Sequence, residues 1–231
     1  PWRRARGGVL AALAGVTVGG LLWGSLSADP GRIGRHYLES SLPQTGAANA
    51  VNAILVDYRG FDTLGEITVL AIAAVGILTM LRGFLIPPGP ELRGMRWDPD
   101  THPLILVTIS RILLPLALVV SLFLLVRGHN QPGGGFVAGL VTGIGLILQY
   151  LASGSRWTRE RLPLRYRPLL AAGLGTALGV GLLPLLWGKP YLSSVHGRLQ
   201  VPVLGEVPWA SSLLFDIGVY LVVMGAILTL V

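Results

Sequence analysis

The chain has 231 residues, of which 52% are hydrophobic and 13% charged, with a formal net charge of +7. Ordinary soluble domains carry about a quarter charged residues, so a soluble globular fold is excluded and an integral membrane protein is expected. All but Lys189 of the 18 basic residues are arginine, and they cluster beside apolar runs, the pattern of cytoplasmic membrane loops and not of a nucleic-acid surface.

Crossing roughly 30 Å of hydrocarbon takes about twenty apolar residues as helix. Such runs are predicted at 8–26, 63–85, 103–126, 133–152, 169–187 and 211–231. The fold expected is therefore an all-α integral membrane protein of about six transmembrane helices, arranged two plus four. Trp2, Arg3, Arg4 and Arg6 ahead of the first run resemble the start of a signal peptide, but no A-x-A-type cleavage site precedes 25–27, so the run is read as a retained span. Segment 47–58 is apolar, yet its dozen or so residues reach only about 18 Å as helix. It is read as a short re-entrant or interfacial helix with Asn49 and Asn52 one turn apart.

Pro87-Pro88-Gly89-Pro90 cannot be helical, because proline lacks the donor and biases its predecessor to extended backbone. Residues 87–96 are thus a linker between a two-span unit, 1–86, and a four-span unit, 97–231. The loop 189–209 is expected to be extended or a hairpin. Arginines precede the first span and fill the 82–96 and 156–167 connections, while fewer lie on the other side, so both termini are expected in the cytoplasm.

Asp57, Asp62 and Glu66 are candidate ion-handling carboxylates, with Arg59 between them. Asp62 and Glu66 share a helix face, and acids facing a bundle interior hold or relay Na⁺ and H⁺. Thr63-Leu-Gly-Glu66 also fits a capping box with Thr63 as N-cap, and both readings stand. Arg111 in the third span either snorkels to the interface or pairs with a carboxylate. His129, at the span's outer end, titrates in the physiological range. It is followed by Pro132, Gly133, Gly134 and Gly135, which fit a tight turn packing against a neighbouring subunit or lining a water-filled cavity. The G-K-[ST] ending of a phosphate loop is missing. Asp216, near the outer end of the last span, is either an interfacial anchor or a member of an ion path. His36, His102 and His196 receive no role. Glycines at four-residue spacing (Gly15/Gly19, Gly135/Gly139/Gly143, Gly175/Gly179) are candidate helix-packing faces. With no cysteine and four scattered histidines, no metal site and no cofactor is expected.

Residues 127–136, RGHNQPGGGF, followed by VAGLVTG and by Leu148-Gln149-Tyr150, closely resemble the B subunit of the Mrp-type multisubunit Na⁺/H⁺ antiporters, the MnhB family. Residues 52–66, NAILVDYRGFDTLGE, resemble the C-terminal tail of the A subunit of the same machines. The resemblance implies an accessory, non-enzymatic component in the plasma membrane that contributes to an ion path at a subunit interface. Its implied partners are the other antiporter subunits and the lipid bilayer, with Na⁺ and H⁺ as transported ions. It further implies transport roles for the acids of 57–66, makes His129 and Pro132 the positions affecting antiport most, and matches Asp216 to the B subunit. Related modules occur in membrane-bound hydrogenases and ferredoxin-linked complexes, which is the alternative setting. A purely structural role in assembly is the third reading.

Overall fold

The computed structural model describes residues 2–27, 31–83, 104–161, 165–201 and 205–229. The 87–96 linker and His102 lie outside them. Two compact units are present, residues 1–39 and 40–231. The first contains α1 (Trp2–Ser27), whose described side chains are all exposed, and most of α2 (Arg32–Thr45). Helix α2 has no counterpart in the hydropathy reading, because it is too polar to register as a span.

The second unit holds the remaining helices and the hairpin. Asn49 opens the short α3 (Ala50–Ala53), its side-chain oxygen accepting from the Asn52 amide at 3.4 Å, the arrangement by which Asn caps a helix start. A π-turn, Ile54–Tyr58, follows. The Arg59 amide then bonds back to Ile54 at 2.7 Å, and the Leu55 carbonyl is taken by the Thr63 hydroxyl at 2.6 Å. Helix α4 starts at Gly60 (Gly60–Gly83). The capping-box reading is therefore corrected: Thr63 lies within the first turn as a donor, not at the N-cap as an acceptor, because the chain turns at Arg59–Gly60.

Three further spans follow as α5 (Leu104–Arg127), α6 (Gly135–Arg161) and α7 (Tyr166–Leu182), and α8 (Ser211–Thr229) closes the unit. Gly154 breaks α6 at φ 77°, and α7 ends in a 3₁₀ turn, Leu183–Trp187. Including α1, six helices are long and apolar enough to cross a membrane. Between α7 and α8 lies an antiparallel hairpin, β1 (His196–Val201) with β2 (Gly205–Ala210), in register His196↔Ala210. It is latched to the start of α8 by the Ser211 amide on the Val195 carbonyl and the Val195 amide on Ser211 Oγ.

Helix α8 is the axis of this unit, packed on α7, α6, α4 and α5. Phe215, Val219, Val222 and Val223 are buried on it. In lipid, apolar burial gives little drive for helix association, so close backbone approach carries it. Gly139 and Gly143 of α6 receive Val223 and Ile227 of α8, and Gly173 of α7 lies against the Gly218 carbonyl. The predicted Gly139/Gly143 face is used. Gly15, Gly19, Gly175 and Gly179 have nothing within 4 Å of an added Cβ. On α7 the packing face runs instead through Gly173, Ala177 and Gly181, because positions two residues away on a helix point to nearly opposite sides.

Candidate functional site

The α4, α6 and α8 starts and the α5 and α7 ends lie at the hairpin side of the second unit, and polar groups meet there. The α5–α6 turn is the framework. Gly134 adopts φ +112° and sends its amide to the Leu124 carbonyl at 3.0 Å. Gly128 and Gly133 pack so closely on Gly134 and Leu124 that a Cβ at either would collide with backbone. An added Cβ on Gly135 would run into the Asp216 carbonyl. The run of glycines is thus a demand of space within this chain: it allows α6 to begin directly against α8.

Starting there, α6 directs its first amide at Asp216. The Gly135 amide donates to Asp216 Oδ1 at 3.2 Å, and Asn52 Nδ2 donates to Oδ2 at 3.3 Å. The Asp216 side chain belongs to a residue only 5% exposed. A buried carboxylate without donors would be very costly. Here a helix N-terminus, which carries partial positive charge, and an amide donor hold it.

Asn49 fixes the same turn from the other side. Its Nδ2 donates to the Gly128 and Gln131 carbonyls, both at 2.9 Å, and its backbone amide to His129 at 3.3 Å. The pair Asn49/Asn52 thus clamps the α5–α6 turn and Asp216 together. His129 is half-buried, with Nδ1 3.1 Å from Ser212 Oγ on α8. Burial holds its pKa below the usual 6.5, opposed by hydrogen bonding to the Gly46 backbone and reinforced by the nearby charge of His196.

The other predicted residues separate. Asp57, in the π-turn, has both carboxylate oxygens buried without a hydrogen-bond partner. Burial raises its pKa above 3.8; the nearby Ser194 hydroxyl and backbone, which fall short of full hydrogen bonds, and the charge of His196 pull it down. Asp62 is exposed and ion-paired with Arg59. Glu66 is exposed on the outer face of α4, and Arg111 is exposed on α5. The structure thus brings Asp57, His129 and Asp216 to one end of the second unit and leaves Asp62, Glu66 and Arg111 on its surface. Pro132 is exposed in the turn while Gly134 and Gly135 are buried.

Sequence reading missed Ser212, Ser194 and His196. Serines at the mouth of an apolar run carry no distinguishing signal, and His196 gains its place only through the hairpin. Asn52 was visible as an amide in an apolar segment, but its partner 164 residues away was not. Among the described residues no group of three or more His, Cys, Asp and Glu could hold a metal ion.

Residues 105–229 match a family described as the domain related to the MnhB subunit of Na⁺/H⁺ antiporters, and residues 2–92 match the MbhE family, described as the E subunit of MBH. The chain is 39% identical over 215 residues to a probable K⁺/H⁺ antiporter A/B subunit of Rhizobium meliloti, covering 85% of this chain and 21% of that protein. It is 38% identical over 131 residues to the Na⁺/H⁺ antiporter B subunit of Alkalihalophilus pseudofirmus, covering 57% of this chain and 91% of that one. Among solved structures, the Mrp complex of Dietzia sp. aligns with TM-score 0.74 and 35% identity, over 98% of this chain and 25% of the other. A chain of an archaeal membrane-bound sulfane sulfur reductase, a respiratory membrane complex, aligns with TM-score 0.61 and 26% identity, over 96% and 97%. The chain spans about a fifth of the Rhizobium protein and nearly all of the Alkalihalophilus one. With over half its length matched to that family and its last four spans built around the glycine turn, this multi-pass membrane protein belongs to the MnhB-related family of antiporter subunits.

Proposed function

We propose that the chain is an accessory membrane component of a multisubunit antiporter that exchanges a monovalent cation, Na⁺ in the first instance, for H⁺. In this reading the cluster of Asp216, Asn52, His129 and Ser212 is part of an ion path at a subunit interface. The observation that carries it is Asp216, a buried carboxylate within a span, coordinated by an amide side chain and a helix N-terminus. Ionisable groups inside membranes are expensive and persist where ions or protons use them. The apolar exposed faces of α1, α4 and α5 then meet lipid and the other subunits, and exposed Asp62 and Glu66 meet a partner's polar surface. Both termini lie in the cytoplasm. Residues 1–86 act as the counterpart of the A-subunit tail and residues 97–231 as the counterpart of the B subunit, with family matches ending at 92 and resuming at 105 supporting that division.

The likeness over nearly its full length to a chain of a respiratory complex favours a second reading, in which redox energy drives ion export through the same module. One experiment separates the two. The intact complex is purified through a tag on this chain, its subunits identified, and exchange measured in proteoliposomes with Na⁺ or K⁺. Cation-dependent proton movement without an electron donor, lost when the chain is deleted, supports the antiporter. Movement that requires an electron donor, or full exchange without the chain, contradicts it.

A further inference from the structure

Beside the Asp216 cluster, the π-turn, the base of the hairpin and the start of α8 border a second, half-open polar space. A cavity of about 10 Å³ lies there, room for about one water molecule. Its polar lining is Asp57, Ser193, Ser194, Ser211 and Ser212, and its apolar lining Val56, Val180, Leu192 and Phe215. Both Asp57 oxygens are buried and without a hydrogen-bond partner. Ser212 lines the cavity and reaches His129 Nδ1 on its other side.

We infer that this cavity is a proton-binding site, in which the Asp57 carboxyl takes up a proton and a single water, ringed by serine hydroxyls, connects it through Ser212 to His129. With the Ser194 hydroxyl and backbone near it but short of full hydrogen bonds, the buried carboxylate is stabilised by becoming neutral or hydrated. A protonated carboxyl supplies a donor and the water supplies the missing partners, so the cavity and the orphaned oxygens explain one another. The charged and titratable groups around Asp57 agree. His196, at the hairpin base, acts on it through its charge and favours ionisation, so a proton on the imidazole and one on the carboxyl disfavour each other. Asp57 and Asp216 repel as anions. Of its neighbours in the turn, Arg59 is paired with Asp62, and the Tyr58 hydroxyl lies against Ser40 and Gln44. Tyr191 packs against Gly181. His129 joins through Ser212. The step is a proton transfer alone: a proton moves from solvent on the hairpin side through water and hydroxyl to an Asp57 oxygen, and returns by the same route.

The site deepens the proposed function, and its use in exchange rests on that reading. Its existence is tested separately, by difference infrared spectroscopy of the purified complex. A protonated-carboxyl band should titrate with pH, vanish in Asp57→Asn, and move its midpoint to higher pH in His196→Gln, where the opposing charge is removed. The second variant leaves the carboxyl in place, so a folding failure of the first does not obscure the result. Absence of a titrating band assignable to Asp57, or a midpoint indifferent to His196→Gln, would overturn the inference, as would displacement of the band by Na⁺ at constant pH. Loss of exchange in Asp216→Asn with no Asp57 band would overturn this site and leave the antiporter reading standing. An Asp57 band with normal exchange in Asp216→Asn would sustain this site and count against the Asp216 path.

Discussion

Among the described glycines, Gly135 is the one whose added methyl would come nearest to backbone. The added Cβ would collide with the Asp216 carbonyl and lie 3.1 Å from its Cα, where carbon atoms rest at about 3.5–4.0 Å. Helices α6 and α8 would have to separate, and the Gly135 amide, now 3.2 Å from Asp216 Oδ1, would lose its acceptor. Overpacking costs roughly 1–3 kcal/mol, and losing a hydrogen bond to a charged group about 1.5–3 kcal/mol. Together these approach the ~5–15 kcal/mol that holds a whole domain folded. Gly65 and Gly175 have nothing within 4 Å of an added Cβ. Gly65→Ala and Gly175→Ala should therefore leave stability unchanged or raise it by up to about 1 kcal/mol. Thermal melting in detergent, followed by intrinsic tryptophan fluorescence, compares the three. A Gly135→Ala melt as benign as Gly175→Ala would refute the claim that the glycine turn exists to seat α6 against Asp216.

Asn49→Ala removes a cap costing about 0.5–2 kcal/mol and both side-chain bonds to the Gly128 and Gln131 carbonyls; hydrogen exchange should quicken in 128–134 and not in α5. Because burial raises the Asp57 pKa above 3.8, the folded state binds its proton more tightly than the unfolded one, so stability falls as pH rises from that value through the raised pKa; pH-dependent melting of Asp57→Asn should be flatter over that window. Glu66→Gln and Asp62→Asn, whose parent side chains are exposed on the surface of this chain, should leave melting unchanged while lowering exchange in the assembled complex; unchanged exchange in both removes this face from the ion path. A reporter after Val231 should report the cytoplasm and one at Ser194 the outside, and a cytoplasmic signal from Ser194 would contradict the six-span arrangement.

The spans were legible in the sequence because a membrane reads only length and apolarity, and the observed helices agree with the runs to within a few residues at most ends. α6 runs past its predicted end, through Gly154 to Arg161, where polar residues hide a helix from a hydropathy reading. A short helix in 47–58 was legible too, but Asn49, read as lying on its face, is instead the cap at its start. What joins Asn52 to Asp216, or Ser212 to His129, was not. Those pairs are 164 and 83 residues apart, and nothing local encodes them. Thr63 illustrates the converse: its spacing to Glu66 matched a capping box, but the π-turn at Ile54–Tyr58 freed a carbonyl that claimed its hydroxyl. The glycine turn was visible as a motif, whereas its reason, a carbonyl of α8 in the space of a methyl group, is purely tertiary.

In the proposed function Asp216 serves ion exchange and does not merely staple α6 to α8. Asp216→Asn keeps one acceptor for the Gly135 amide and removes the charge. Exchange is measured in everted vesicles carrying the complex at abundance matched to the unaltered one. Assembly should be normal and exchange reduced at least about tenfold, the equivalent of some 1.4 kcal/mol. Normal exchange at matched abundance would contradict it.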